Sequence, residues 1–324
     1  MNDELRTQLG RFAKKAEPGP APAPPAKSQP QVLTAVAERE KKKQRILLEL
    51  ENLPSLPSVV IEVMKIIQDP DSTARDFEEH VKKDQALTGK MLKLVNSSFY
   101  SLSRKISTIS EAVVILGFNT LKSLVLATST RKILERALTG YGYEPKGLWK
   151  HSISCAAASK FVARELGFSD QVAEELFVSG LLHDLGKLIL GPMIEERAAE
   201  FRKRIAGGET LLEAERAITD FDHPSVAALI LKKWKLSDDL ADVIVNHHSP
   251  GLATIHPRRA AILHIVDYVA NRLRLGLTDA YPGSAPLDGA AYRALAVTDE
   301  RFKEILDRIE VAMRDMENLF RQID

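Results

Sequence analysis

The chain of 324 residues is long enough for one large helical domain or two moderate lobes, and its 44% hydrophobic content can fill a substantial core. Because 45 Lys and Arg residues balance 44 Asp and Glu residues, no global field attracts the chain to nucleic acid or to anionic lipid. The charged start, MNDELRTQLGRF, argues against a signal peptide, and no stretch reaches the roughly 18 uninterrupted apolar residues of a membrane span. We therefore expect a cytoplasmic protein with neither a nucleic-acid partner nor a membrane partner.

The N-terminal part of the chain divides into two segments. Residues 16–31, AEPGPAPAPPAKSQPQ, are a Pro and Ala mixture that cannot build a core, so we predict a disordered tail over residues 1–32. The segment EREKKKQRILLELENL is charged first and apolar later, which favours a lead-in helix over residues 33–52.

From residue 53 onward the apolar residues recur at helical spacing and alternating strand patterns are scarce, so we predict an all-α fold. The segment GYGYEPKG, residues 140–147, interrupts this periodicity with glycine and proline. It divides a domain at 53–277 into a first lobe at 53–139 and a second lobe at 147–277.

Two helix-start signals lie in the first lobe. Thr73 precedes Asp76 by three residues, and Thr108 precedes Glu111 by the same spacing. A side-chain oxygen and a carboxylate at this spacing can satisfy the orphan amides of a helix N-terminus. We expect a helix to begin directly after each threonine.

Residues 278–324 are predicted to form a loop and a C-terminal amphipathic helix. The apolar stripe of this helix consists of Phe302, Ile305, Leu306, Ile309, Met313 and Met316. Such a stripe more often packs on its own domain than on a partner, and a homodimer through this helix is the alternative.

The second lobe contains a series of histidines and aspartates. Neutral imidazoles and carboxylates are the donors that divalent Mn, Fe, Ni or Zn requires, and one carboxylate can bridge two ions. Two of the acidic residues interrupt the apolar runs LFVSGLLHDLGKLIL and AILHIVDYVA, where a buried carboxylate is costly unless a cation, hydrogen bonds or protonation neutralises it. The predicted ligands of a divalent-metal centre are His151, His183, Asp184, His223, His247, His248 and Asp267.

Other ionisable residues are interpreted separately. Lys187 lies one helical turn after Asp184, where its ammonium could pair with that carboxylate or with a bound phosphate, and these two residues are the candidate catalytic pair. The only cysteine, Cys155, lies in an alanine-rich helical run and is interpreted as a small buried thiol without a chemical role. The remaining histidines are interpreted as ordinary hydrogen-bonded residues: His80, His256 and His264.

Five segments of the second lobe resemble successive motifs of HD-superfamily phosphohydrolases: HSISCAAASKFVARELG, GLLHDLGKL, HPSVAALILKKWKL, NHHSP and ILHIVDYVAN. The first lobe resembles the HDOD signature, with its paired Leu-Pro in LPSLPSVV, the step DQALT and the Asn-Ser before an aromatic residue in NSSFY. Together the two sets cover roughly residues 50–275, and the first set is specific to HDOD proteins.

The resemblance implies a two-lobed, multi-helix HDOD architecture. It also implies His151 as the first ligand, His183 as a ligand and Asp184 as a bridge, with the other predicted ligands completing a two-metal centre. The related HD-GYP group hydrolyses cyclic di-GMP with metal-activated water, but this chain departs from it in two ways. Ser249, Pro250, Gly251 and Leu252 follow the double histidine in place of a Gly-Tyr-Pro motif, and Gly147 stands where some three-metal members carry a glutamate.

Two functions follow from these observations. The first is a bacterial regulatory module for signal transduction, with a signalling protein as partner and without catalysis. The second is a metal-dependent phosphohydrolase acting on a nucleotide, a cyclic dinucleotide or another phosphoester, so that a phosphorylated small molecule would be its ligand. An open, polar pocket over the centre would favour the enzyme, and a covered centre would favour the regulatory module.

Overall fold

The computed structural model describes residues 29–68, 71–96, 102–281 and 286–323. Within these ranges the chain forms α-helices and two 3₁₀ turns and no sheet, which confirms the predicted all-α class. The helices are α1 (Gln29–Asn52), α2 (Ser58–Gln68), α3 (Ala74–Val81), α4 (Gln85–Val95), α5 (Ile109–Leu134), α6 (Gly147–Glu165), α7 (Asp170–Leu182), α8 (Gly186–Glu196), α9 (Ala198–Ala206), α10 (Leu211–Thr219), α11 (His223–Lys233), α12 (Asp238–Val245), α13 (Pro257–Arg272), α14 (Gly289–Leu295) and α15 (Asp299–Ile323).

Helices α2 to α5 make up the first lobe, and side-chain caps fix where two of them start. Thr73 and Asp76 form the predicted capping box at the start of α3. Thr108 accepts a hydrogen bond from the Glu111 amide at the start of α5, as predicted, although the Glu111 carboxylate turns back to the Ser107 amide. Residues 97–101 of the HDOD signature lie outside the described residues.

The lead-in helix α1 docks on the second lobe. It begins at Gln29, four residues earlier than predicted, while the rest of the predicted tail lies outside the described residues. The guanidinium of Arg45 donates two hydrogen bonds to the Glu196 carboxylate, at 2.6 and 2.7 Å. The Lys233 ammonium donates to the carbonyls of Leu50 and Leu53 at the end of the helix, at 2.5 and 2.9 Å. The charged half of α1 therefore contacts the second lobe, as its apolar half does.

Helices α6 to α13 make up the second lobe, and one apolar cluster continues from the first lobe into it. A second cluster joins α6 and α13 to the C-terminal helices. The buried stripe of α15 consists of Phe302, Ile305, Leu306, Ile309 and Met313, which confirms that the helix packs on its own domain; the Met316 side chain lies outside the described residues. The predicted loop before α15 is not wholly irregular, since it contains the seven-residue helix α14.

Two helical stretches are long and apolar enough to cross a membrane by length and composition alone, Ile109–Leu134 and Asp170–Glu196. Their apolar windows are 56% and 94% buried inside the protein. Core helices of soluble proteins pass the same test, so these stretches are weak evidence for a membrane span.

Candidate metal centre

All seven predicted ligands converge in the second lobe, although they come from separate elements. Helix α6 carries His151, the turn between α7 and α8 carries the adjacent pair His183 and Asp184, and His223 opens α11. The double histidine His247 and His248 follows α12, and Asp267 lies in the middle of α13.

Two glycines allow the close helix approaches that bring these residues together. A Cβ atom on Gly180 would lie 2.7 Å from the Ala156 backbone, so α7 can approach α6 only without a side chain there. A Cβ atom on Gly186 would lie 1.9 Å from the carbonyl oxygen of His223. The glycine of the HDLG motif therefore sets the separation between the start of α8 and the start of α11.

The first set of donor atoms surrounds His151. Its Nε2 atom lies 3.3 Å from His183 Nε2, 3.1 Å from Asp267 Oδ1 and 3.7 Å from Cys155 Sγ. One ligand atom from each of these four residues lies within 4.8 Å of every other. Asn271 donates a 2.8 Å hydrogen bond to Asp267 Oδ1 and holds that carboxylate in place.

The second set of donor atoms surrounds His223. Its Nε2 atom lies 3.2 Å from His248 Nε2 and 3.3 Å from Asp184 Oδ1, and a nitrogen of His247 belongs to the same group. A third group, formed by His183, Asp184 and His247, connects the two sets. Asp184 therefore lies between them, where a bridging carboxylate is expected.

Hydrogen bonds on the far side of three imidazoles fix their orientation and tautomer. The Nδ1 atom of His183 lies 2.8 Å from the Gly180 carbonyl, and that of His247 lies 2.6 Å from the Ile244 carbonyl. The Nδ1 atom of His223 lies 2.8 Å from a carboxylate oxygen of Glu215. Because these oxygens only accept, each Nδ1 donates, so Nε2 is the atom of each neutral imidazole that presents a lone pair to the centre.

Asp184 has two differently placed oxygens. Its Oδ2 accepts hydrogen bonds from the Lys187 ammonium at 2.7 Å and from the Tyr143 hydroxyl at 3.2 Å. Burial raises the pKa of this carboxyl group, but the charges of His183 and Lys187 outweigh burial and hold the pKa well below its usual range. The carboxylate is therefore ionised, with one oxygen facing Lys187 and the other facing the centre.

Three buried polar atoms of the predicted ligands have no hydrogen-bond partner among the described residues: His151 Nδ1, Asp184 Oδ1 and His247 Nε2. Leaving such atoms unsatisfied costs roughly 1–3 kcal/mol each, so native proteins rarely do so. Burial, and next the neighbouring histidines, lower the pKa of His247 and of His248 well below the usual value, so both imidazoles are neutral donors at neutral pH. Unpartnered acceptors and neutral imidazoles are what a divalent cation requires, and the donor set fits one.

The centre is covered. His151, His183, His223 and His247 are fully buried, and Asp184 is 1% exposed. A cavity of about 20 Å³ reaches the centre, and its lining includes Leu211, His248, Asp267, Asn271 and Tyr281. Such a volume holds on the order of one water molecule.

The structure also shows the surroundings of Lys187, His264 and Gly147. Lys187 is 2% exposed and pairs with Asp184, the first of the two partners that the sequence left open. His264 is satisfied on both sides, because its Nδ1 faces the His247 carbonyl at 2.8 Å and its Nε2 accepts from the Asp288 amide at 2.9 Å. Gly147 lies against the Gly276 carbonyl, 2.1 Å from where a Cβ atom would be, so a third carboxylate has no room there.

Three residues of the centre escape the sequence interpretation. Cys155 is buried as predicted, but its sulfur atom lies among the donors. Its spacing of four from His151 on one helix is the signal that could have found it. Glu215 and Tyr143 orient His223 and Asp184 from distant parts of the chain, and no local pattern marks them.

The comparisons with known proteins agree with this architecture. A "Putative phosphohydrolase" from Shewanella amazonensis SB2B superposes with a TM-score of 0.60 at 23% identity, over 86% of this chain and 92% of that one. An HDOD domain protein with unknown function from Geobacter sulfurreducens gives 0.63 at 24% identity, over 85% and 98%. A "Putative signal transduction protein" from Marinobacter aquaeolei VT8 gives 0.65 at 17% identity, over 87% and 66%. At these identities the likeness shows the fold alone.

The sequence comparisons identify the family. An uncharacterized protein of Treponema pallidum (strain Nichols) is 26% identical over 209 residues, which cover 62% of this chain and only 38% of that protein. The family model for the HDOD domain matches residues 53–250, which is more than half of the chain. The chain belongs to the HDOD family.

Proposed function

We propose that this protein is a regulatory HDOD module of bacterial signal transduction whose second lobe holds a divalent transition metal. The observation that carries the proposal is the convergence of seven buried or half-buried imidazole and carboxylate side chains, three of them with unpartnered atoms. The cavity that reaches them has a volume of only about 20 Å³. Fe, Mn, Ni and Zn all accept such nitrogen and oxygen donors, and the site has donors for two ions.

The residues around the centre support a structural or regulatory role. Imidazoles oriented by Gly180, Ile244 and Glu215 hold their Nε2 atoms in fixed positions. The cavity beside them has room for about one water molecule. The Lys187 ammonium is occupied by Asp184, so it offers no charge to an incoming phosphate. A metal bound here would link α6, α8, α11 and α13 into one unit, and its loss would loosen the surface that these helices form.

A signalling protein is the partner expected for such a module, and the Marinobacter aquaeolei neighbour is described as a putative signal transduction protein. We place the protein in the cytoplasm, in keeping with the burial of its two most apolar helical stretches. A homodimer through the exposed face of α15 is a further arrangement that would suit a module of this kind.

The second candidate is a metal-dependent phosphohydrolase, and the position of Asp184 between two donor sets favours it. Two ions roughly 3.5–4 Å apart supply a nucleophilic hydroxide and neutralise charge on a phosphoester. In that function the residues beside the cavity, His248 and Tyr281, would have to move to admit a phosphorylated small molecule.

Elemental analysis of the purified protein by plasma mass spectrometry tests the proposal. We expect near-stoichiometric transition metal in the wild type and loss of that metal in His183→Ala and Asp184→Ala. His80→Ala is the matched control, because His80 lies in the first lobe and its imidazole bonds to the Asp76 carbonyl of its own helix, at 2.8 Å. Unchanged metal content in the two centre variants would refute a metal at this site.

The metal-loaded protein is then assayed for hydrolysis of nucleotides, cyclic dinucleotides and a chromogenic phosphodiester. The regulatory module predicts no hydrolysis above that of the His183→Ala variant. Turnover that requires both His183 and Asp184 would establish the phosphohydrolase instead.

A further inference from the structure

The sulfur atom of Cys155 belongs to the first donor set. Cys155 lies one helical turn after His151 on α6 and is fully buried. Its Sγ atom lies 3.7 Å from His151 Nε2 and within 4.8 Å of ligand atoms of His183 and Asp267. Cys155 also packs in the apolar cluster of α6 and α13, but its sulfur atom lies beside two imidazoles and a carboxylate.

Four of the six separations within this set match the edges of a tetrahedron. Bonds of about 2.0–2.1 Å to nitrogen or oxygen and about 2.3 Å to sulfur give tetrahedral edges of roughly 3.4 Å between N or O donors, and roughly 3.6 Å between N and S donors. The three separations between N and O donors here are 3.1, 3.3 and 3.4 Å, and His151 Nε2 lies 3.7 Å from the sulfur atom. The other two separations of the sulfur atom, from His183 and Asp267, lie within 4.8 Å. A small movement of the Cys155 side chain would therefore complete a four-coordinate site.

Asp184 is the competitor for the fourth position, and its hydrogen bonds argue against it. The oxygen nearest the first set is Oδ2, 3.5 Å from His151 Nε2 and 3.4 Å from His183 Nε2. This oxygen already accepts from the Lys187 ammonium and the Tyr143 hydroxyl. The unpartnered oxygen, Oδ1, faces His223 in the second set.

The charges favour the same assignment. Lys187 neutralises Asp184 within the buried pair, at 2.7 Å. Without a thiolate, the carboxylate of Asp267 would be the only anionic donor to a divalent ion in the first set. One positive charge would then remain uncompensated in a buried site, which is costly. A thiolate supplies the second negative charge and leaves the site neutral.

We infer that Cys155 is the fourth ligand of the ion held by His151, His183 and Asp267, so that this half of the centre is a mixed nitrogen, oxygen and sulfur site. The inference rests on the metal centre proposed above. On binding, the thiol proton passes to solvent, one sulfur–metal bond forms, and nothing is oxidised or reduced. A thiolate favours Zn²⁺ and other soft or borderline ions over Mn²⁺ and Mg²⁺, so the site should select against the hard cations.

Cobalt substitution tests this assignment. The metal-free protein is titrated with Co²⁺ while the near-ultraviolet and visible spectrum is recorded. We expect a thiolate-to-cobalt charge-transfer band that grows with binding, together with the intense visible bands of a tetrahedral ion. The chain has a single cysteine, so this band can have only one source.

The variants are Cys155→Ser and Cys155→Ala, with Ser159→Ala as the matched control one turn further along α6. Ser159 is also fully buried, and its hydroxyl has no partner among the described residues. We expect both cysteine variants to lose the charge-transfer band and to bind cobalt at least tenfold more weakly, while Ser159→Ala keeps the band.

X-ray absorption of the wild-type zinc protein makes the test independent of how the variants fold. A sulfur scatterer at about 2.3 Å supports the assignment. Cobalt bound in a manner that depends on His183, but without the band and without a sulfur scatterer, overturns the role of Cys155 and leaves the metal centre intact. No cobalt or zinc bound by the wild type overturns both.

Discussion

The two lobes of this domain bury different kinds of side chain. Among the described residues, the buried polar side chains of the first lobe carry hydroxyl groups only. Three of them donate to carbonyls of their own helix: Ser123 to Asn119, Thr128 to Leu124 and Thr130 to Leu126. The second lobe buries histidines, aspartates, glutamates and two lysines. Burying charges costs free energy unless they are paired or bound to a metal. The buried side chains of the first lobe therefore serve stability, whereas those of the second lobe form a binding site at a cost in stability.

The largest effect should come from breaking a buried charge pair of the second lobe. Asp184→Ala leaves the Lys187 ammonium buried with only the Tyr143 hydroxyl, 3.4 Å away, and should lower the free energy of unfolding by about 3–5 kcal/mol. The double variant Asp184→Ala, Lys187→Met removes both charges and should recover part of that loss. Urea denaturation of the metal-free proteins measures both.

The matched change in the first lobe is Glu79→Ala, which breaks the exposed pair with Arg75 and should cost no more than about 0.5 kcal/mol. If Asp184→Ala were as mild as Glu79→Ala, or if the effects of the two changes at Asp184 and Lys187 were additive, the contrast between the lobes would not hold.

A smaller effect is expected where the second lobe orients a ligand. Both Glu215 oxygens lie within hydrogen-bond distance of the Nδ1 atom of His223, and Oε2 also accepts from the backbone amide of His223. Glu215→Gln keeps one acceptor and loses the charge, so it should weaken metal binding about 10–100-fold while the protein stays folded. Competition with a chromogenic chelator measures the affinity, and Glu209→Gln, which changes only a pair with Arg204, is the control. If Glu215→Gln and Glu209→Gln bound the metal equally tightly, the hydrogen bonds from His223 to Glu215 would not contribute to metal affinity.

Acid should destabilise the metal-free protein through the histidines of the second lobe. Burial lowers the pKa of His247 and His248 well below the ordinary 6.5, so the unfolded chain takes up these protons before the folded chain does. Their contribution is therefore complete above pH 6.5 and declines as the pH falls below it, by at most about 1.4 kcal/mol per pH unit for each residue.

His183 acts in the opposite direction, because burial lowers its pKa but Asp184 and Asp267 outweigh burial and raise it. Its contribution is present below pH 6.5 and is lost as the pH rises through the raised value. Burial also lowers the pKa of His151 and His264, so four histidines outweigh one, and urea denaturation between about pH 7 and pH 5.5 should show declining stability. A His247→Gln variant should show a shallower decline, and an identical slope would exclude His247 as a source.

The sequence predicts this centre well where residue type and local spacing decide the outcome. The helix starts at Thr73 and Thr108, the place of His223 at the start of α11 and the convergence of seven donors follow from patterns within a few residues or from the family motifs. Whether these donors hold a metal stays a prediction. The choice of Lys187 between a carboxylate and a phosphate depends on how deeply the α7–α8 turn is buried, which no local pattern gives.

The remaining features depend on contacts between distant segments. Glu215 reaches His223 from another helix, and Tyr281 covers a centre whose ligands lie up to 130 positions earlier in the chain. The helix α14 was missed because seven residues, GAAYRAL, are too short to show a helical period. Cys155 is buried as predicted, but its position beside the donor atoms could not be predicted, because only the fold shows which side chains it contacts.

The smallest effect should come from the cap at the start of α3 in the first lobe. Thr73→Ala removes the oxygen that accepts from the Asp76 amide and the hydroxyl that donates to the Asp76 carboxylate. The carboxylate still accepts from the backbone amide of residue 73. The cost should be about 1 kcal/mol in the free energy of unfolding, because the cap is exposed and water replaces part of it. Thr73→Ser keeps the oxygen and should cost less. Metal content per molecule should stay at the wild-type value in both variants. A loss of metal on Thr73→Ala would show that the first lobe contributes to the centre and that the two lobes do not divide stability and site between them.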